Sequence, residues 1–195
     1  MERFRGRADI DLDEVGIEQA ELTAKRLSRW PVSAIYSSPL KRALTTAGII
    51  SRHVGQPVIH LSGLIDIDYG SWQGLSVEEV RVRDGKRYEL WLENPHLVTF
   101  PDGESLGDVR DRVTAALDGL SRKHEEQTVV LVSHKVVCKV LLLNLLGMDI
   151  SQFWRVEQDV SAINVFELRG GFYTVTLLND TCHLRGLAST PRSVT

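Results

Sequence analysis

The sequence is poor in cysteine, in long apolar runs and in charge of one sign, and each shortage closes off a class of protein. Cys138 and Cys182 are its only cysteines and stand in no metal-ligand or redox spacing. A disulfide scaffold or structural zinc site is therefore not expected, and a reduced, cytoplasmic setting is the default. The most apolar stretch, Val136 to Met148, is interrupted by Lys139 and Asn144 and falls short of the roughly 18 to 20 residues that a membrane helix requires. Glu2, Arg3, Arg5 and Arg7 open the chain with no apolar run behind them, which is not the pattern of a secretory signal. A formal charge of -3 and a pI near 6.1 provide no general attraction for nucleic acid or an anionic membrane. A small anionic ligand held by a local basic cluster fits better. There is no internal repeat, and no dinucleotide-type glycine fingerprint follows any expected strand.

What is present is ordinary globular material: 43% hydrophobic and 25% charged residues in 195, enough for one sizeable core. Asp11 and Asp13 precede a helical recurrence of Val15, Leu22 and Leu27 that Pro31 ends. Val32–Tyr36 reads as a short buried strand, and Ser37-Ser38-Pro39 turns into a helix with Pro39 near its first position. Val58–Leu61 reads as another strand, and the glycine-rich passage Gly63–Gly74 as loop. Ser76 and Glu79 form a capping box for a helix that stops at Asn94-Pro95, within a lid-like insertion of about 75–100. Ser105–Lys123 places Leu106, Val109, Val113 and Leu117 on one helical face. Thr128–Val132 is a β-branched strand that ends at Ser133-His134, with a helix from Lys135 to Leu146 directly after it. Ala162–Leu168 and Phe172–Leu178 flank Gly170-Gly171, a hairpin signal. The alternation predicts an α/β fold with a mostly parallel sheet, helices on both faces and an antiparallel element near the C-terminus. One domain over 1–184 is expected, with a flexible tail at 185–195.

In such a sheet ligands sit beyond the carboxyl ends of the strands. His134, between a strand end and a helix start, is placed to meet an anion, although a histidine there can simply cap the helix. Arg42, early in its helix, could clamp phosphate oxygens at the same edge or remain solvated. The loop Leu64–Gly74 sets Asp66 and Asp68 beside aromatic residues, where a desolvated carboxyl can stay protonated and serve as a general acid. Turn-forming hydrogen bonds are the competing use of aspartate there.

Six segments occur in an order that resembles the phosphoglycerate-mutase-like branch of the histidine phosphatase superfamily. They are RFRGRADIDLDEVGIEQA (3–20), YSSPLKRALTTA (36–47), LIDIDYGSWQGL (64–75), FPDGESL (100–106), VLVSH (130–134) and LNDTCHL (178–184). The resemblance implies transfer of a phosphoryl group to a histidine nucleophile and then to water or a second hydroxyl. By the same resemblance Arg42 and His134 belong to the phosphate pocket, and Asp66 stands where the family usually has a glutamate as proton donor. Arg3, Phe4, Tyr69 and Lys135 are implied to bind substrate or line its mouth. Asp66 is one methylene shorter than glutamate, and Lys135 replaces a common glycine, making the pocket edge more basic or more crowded.

Members of this family begin with a central strand ending in Arg-His-Gly, whose histidine is the nucleophile, and the 195 residues start after that point. The five histidines other than His134 are expected at the surface or in packing, in spacings that suit no metal site. The resemblance thus implies hydrolysis of a small phosphorylated metabolite without metal or other cofactor, in an enzyme whose first strand lies outside these residues. Without that strand the chain is expected to be inactive and marginal in stability, aggregating or completed by a partner strand, and homo-oligomer formation stays open. The alternatives are mutase-type phosphoryl transfer and a non-catalytic sensor of a phosphate ligand.

Overall fold

Local signals set most of the helix boundaries. The computed structural model describes residues 3–187. Asp13 accepts from the Gly16 amide at 2.8 Å and starts α1 (Glu14–Leu27), which satisfies one of the amides that a helix start leaves unpaired. β1 (Val32–Ser37) follows, then α2 (Lys41–Val54), closed by Gly55 in the left-handed region at φ 76°. α2 begins two residues later than the sequence suggests, with Leu40 at its cap position, so Pro39 ends the strand-to-helix turn instead of opening the helix. β2 (Val58–His60) is short. The glycine-rich passage carries two single 3₁₀ turns, Ser62–Leu64 and Gly70–Trp72.

α3 (Val77–Glu93) opens on the expected capping box of Ser76 and Glu79 and kinks at Asp84, whose carboxylate accepts from Trp72 Nε1 at 3.1 Å and from Arg87. Instead of riding loosely over the domain, the segment buries Val80, Tyr88, Trp91, Val98 and Phe100 in the main core. α4 (Leu106–Lys123) is capped by Ser105 and buries Leu106, Val109, Val113 and Leu117 as the spacing predicts. β3 (Thr128–Val132) and α5 (Lys135–Leu145) come next, followed by a 3₁₀ segment at Ile150–Arg155 that sequence reading did not mark. β4 (Ile163–Arg169) and β5 (Phe172–Asp180) form the antiparallel hairpin, with Gly170 and Gly171 both at positive φ. Of the tail expected from 185 on, Arg185 bridges Leu187, and 188–195 lie outside the described residues. Among the described residues no helix is long and apolar enough to cross a membrane.

β1 pairs in parallel with β2 and with β3, giving the order β2-β1-β3, while β4 and β5 form a sheet of their own. The architecture is the expected α/β arrangement. α1 and α2 bury Ala20, Ala24, Ala47 and Ile50 in one apolar cluster, and α3, α4 and α5 supply the other. β3 and the hairpin contribute to the same two clusters: Val130, Val132, Val165 and Leu177 pack against the first, Val129, Leu131, Phe166 and Val175 against the second. Yet among the described residues β3 is laddered only to β1, and each of its five residues is only half-buried. One edge of β3 thus offers a row of unpaired backbone groups within a layer that is otherwise covered on both faces.

Candidate active site

Ser37 and Ser38 end β1, Val132 ends β3, and both strands deliver the chain to the same edge of the sheet. Ser38 donates its amide to the Val132 carbonyl at 2.9 Å, which ties the two strand ends together. His134 follows β3 and takes the cap position of α5, but its ring makes no capping bond. Its Nε2 lies 2.7 Å from Ser38 Oγ, and Arg42 Nε donates to its Nδ1 at 3.2 Å. With Nδ1 accepting, the proton of the neutral ring belongs on Nε2 and points at Ser38. Burial first, then the Arg42 and Arg112 guanidinium groups, press the His134 pKa down to about 3, so the ring is neutral at physiological pH.

Arg42, in the first turn of α2, spends its donors on four acceptors. Besides His134 it reaches the carbonyls of Ala8 at 2.8 Å and Gly6 at 2.7 Å, and Asp66 Oδ2 at 2.9 Å. Asp66 in turn takes the Ile67 amide on Oδ1 at 2.9 Å and stands 3.7 Å from His134 Nδ1. Its side chain is 13% exposed. Burial raises its pKa to about 6, against the opposing pull of Arg42, the Ile67 amide and Arg112. A carboxyl with this value is part protonated near neutrality and can give up a proton or take one back. Desolvation first, and then the Asp66 charge, push the Cys138 thiol up to about 12; it stays a thiol and cannot serve as a ready nucleophile.

The structure therefore gathers Arg42, His134 and Asp66 at one sheet edge, with Lys135 opening α5 directly after His134. It does not gather the other three residues expected at the substrate mouth. Phe4 is a buried core residue, edge-to-face with Tyr69 and Trp72 at 5.1 Å each. Tyr69 is buried between Phe4 and Phe100, so its ring packs under the acid loop instead of facing a ligand. Arg3 turns to the surface, bonded to the Gly74 carbonyl at 2.7 Å and to Glu79 at 3.2 Å. Packing holds the two aromatic rings, and a carbonyl and a surface carboxylate hold Arg3.

Sequence reading also missed residues that touch the trio. Ser38, within the segment 36–47, carries no signal of its own. Arg7 and Arg112 both donate to the Asp66 carbonyl, at 3.3 and 3.2 Å, and Arg112 sits on the polar face of α4, where nothing local marks it. Three of the five other histidines have partners elsewhere: His53 with Glu21 at 2.9 Å, His124 with the Tyr36 hydroxyl at 2.9 Å, His183 with Thr23 at 3.0 Å. Among the described residues no three His, Cys, Asp or Glu side chains converge as metal ligands.

The model of the histidine phosphatase superfamily (branch 1) matches residues 1–181. The chain is 41% identical to phosphoserine phosphatase 1 of Hydrogenobacter thermophilus, over 93% of this chain and 86% of that protein. It is 33% identical to the metal-independent phosphoserine phosphatase of Arabidopsis thaliana, over 93% of this chain and 76% of that one. Among solved structures it superposes on Bacillus stearothermophilus YhfR with a TM-score of 0.90 at 30% identity, covering 93% and 91% of the two chains. The named phosphatases among these relatives support phosphatase activity in general. The chain belongs to the histidine phosphatase superfamily, branch 1.

Proposed function

We propose that the protein hydrolyses small phosphate monoesters through a phosphohistidine, with Arg42 and His134 holding the phosphoryl oxygens and Asp66 as proton donor. The observation that carries this reading is the convergence of Arg42, His134 and Asp66 at the sheet edge, with Arg42 bonded to both of the others and Asp66 3.7 Å from His134 Nδ1. In this reading a bound ester takes over the His134 Nε2 proton that now points at Ser38 and the Arg42 donors that now meet the Ala8 and Gly6 carbonyls. The nucleophile is a further imidazole, carried at the end of a strand laddered to the free edge of β3. A parallel strand there would end beside His134, as β1 does.

In the first step an imidazole nitrogen attacks phosphorus, the ester P–O bond breaks, and the Asp66 proton passes to the departing alkoxide. In the second, water attacks the phosphohistidine, its proton goes to the Asp66 carboxylate, and inorganic phosphate leaves as the imidazole is restored. Phosphoserine, named in two of the relatives, is the first ester to test, beside p-nitrophenyl phosphate.

The deciding experiment compares the 195-residue chain with one that carries an added N-terminal strand ending in Arg-His-Gly. The expected result is turnover and an acid-labile phosphohistidine only with the strand added, and loss of both when its histidine becomes alanine. Robust turnover by the 195 residues alone, sensitive to Asp66→Ala, would sink the proposed nucleophile.

A further inference from the structure

Two guanidinium groups hold the Asp66 carbonyl, and one carboxylate holds both of them. Glu104 Oε1 lies 2.9 Å from Arg7 Nη2 and 2.9 Å from Arg112 Nε, and its Oε2 takes Arg112 Nη2 at 3.1 Å. The same Oε2 accepts the Asp68 amide at 3.0 Å, while the Glu104 amide donates to the Asp68 carbonyl at 2.9 Å. Arg112 Nη1 reaches the Gly63 carbonyl at 2.9 Å, and Arg7 Nη1 reaches Asp68 Oδ2 at 3.2 Å. The acid loop is thus tied at 63, 66 and 68 to the start of α4. Backbone contact seals the tie: a Cβ on Gly70 would stand 1.8 Å from the Pro101 carbonyl oxygen, and one on Gly103 2.4 Å from the Asp68 oxygen.

The charges follow the same wiring. The Asp66 carboxyl faces Arg42 from α2, His134 and Cys138 from the start of α5 and the charge of Arg112 from α4, while Arg7 from the N-terminal segment meets the Asp66 main-chain carbonyl and pairs with Asp68 of the same loop. Arg112 favours the ionised form of Asp66 and the neutral form of His134. Glu104 is the carboxylate that pairs with both Arg7 and Arg112 and so offsets their field.

We propose that Glu104 is a positioning residue for Asp66: through Arg7 and Arg112 it fixes the main chain that carries the acid and neutralises the cations behind it. This deepens the reading of Asp66 as the acid and rests on that reading for its purpose, but its test needs no turnover. The Asp66 carboxyl is followed by ¹³C NMR against pH in the 195-residue chain. Glu104→Gln, which keeps the shape and removes the charge, should lower the Asp66 midpoint by roughly 0.5 to 1 pH unit, and Arg112→Gln should raise it. Glu104→Asp, which restores the charge at a shorter reach, should return part of the shift. A merely structural role would cost stability without this pattern of signs. An unchanged or raised midpoint in a folded Glu104→Gln protein overturns the proposal. Should that variant fail to fold, Arg7→Gln, at a side chain one-third exposed, must raise the midpoint or the proposal falls. Turnover indifferent to Asp66→Asn, with the shifts as expected, would reject the acid reading while leaving the Glu104 coupling measured.

Discussion

Two Arg–Asp–His groupings among the described residues have opposite electrostatics. In one, Arg42 pairs with Asp66 at 2.9 Å beside His134; in the other, Arg26 pairs with Asp180 at 2.6 Å beside His183. Asp180 lies at shallower depth beside the exposed Cys182, although its side chain is 19% exposed against 13% for Asp66, and the Arg26 hydrogen bond, followed by the Cys182 amide, holds its carboxyl well below the usual carboxylate range. Asp66 has an arginine at similar range and an amide of its own, yet burial outweighs both and lifts it to about 6. The same residue types make a permanent anion at one place and a proton donor at the other. Desolvation, and not the choice of partner, separates them.

Breaking the buried pair should have the largest effect. Arg42→Ala leaves Asp66 buried without its cation, a loss that typically costs about 3 to 5 kcal/mol, and urea unfolding at pH 8 should show a drop of that order together with loss of inorganic phosphate binding by calorimetry. Equal stability would mean that the pair contributes nothing to the fold.

The next test works through pH. Asp66 is raised from its ordinary value to about 6, so its contribution is fully present below about pH 4 and is lost as pH rises through 6, a swing of about 3 kcal/mol. His134 is lowered to about 3, so its contribution is present above about pH 6.5 and is lost as pH falls toward 3. Between pH 4 and 6 the two slopes oppose each other. Asp66→Asn removes the first and should expose the second: the variant's thermal midpoint should climb with pH over that window more steeply than the parent's. Parallel curves would show that Asp66 is not shifted in the folded state.

The shallower pair, Arg26 and Asp180, should matter least. Asp180→Asn should cost at most about 1 kcal/mol at pH 7, and most of that cost should persist at pH 3, because a lowered carboxyl keeps its contribution until pH falls through its folded value, well below the usual carboxylate range. A loss as large as that of Arg42→Ala would erase the distinction between the two groupings.

The elements were legible where one local rule decided them. Asp13, the Ser76–Glu79 box, Ser105 and the Gly170-Gly171 turn each act over a few residues, and β3 matched its expected bounds because a β-branched run between turn signals has few alternatives. Arg42, His134 and Asp66 were legible as a set of motifs whose spacing in the chain, 42, 66 and 134, says nothing about distance until the sheet is folded. What stayed hidden was what depends on long-range packing. Phe4 and Tyr69 look the same in sequence whether they face a ligand or each other, and the hydrogen bonds of Arg112 to 63, 66 and 104 follow from the docking of α4 on the acid loop.

The bond from the Ser71 amide to the Pro101 carbonyl at 2.9 Å closes residues 71–101 into an excursion whose two ends meet. Whatever happens inside it, the exit and re-entry points stay where Gly70 and Gly103 press together. Evolution can therefore treat this stretch as an exchangeable cassette. Doubling the length of a flexible loop adds only about 0.6 kcal/mol of closure cost, so a longer or shorter version that still delivers Val80, Tyr88 and Trp91 to the core can reshape the outer surface without moving Asp66. The outer surface and the proton donor can then diverge at different rates within one small domain, the first by insertion and deletion between 71 and 101, the second only by substitution.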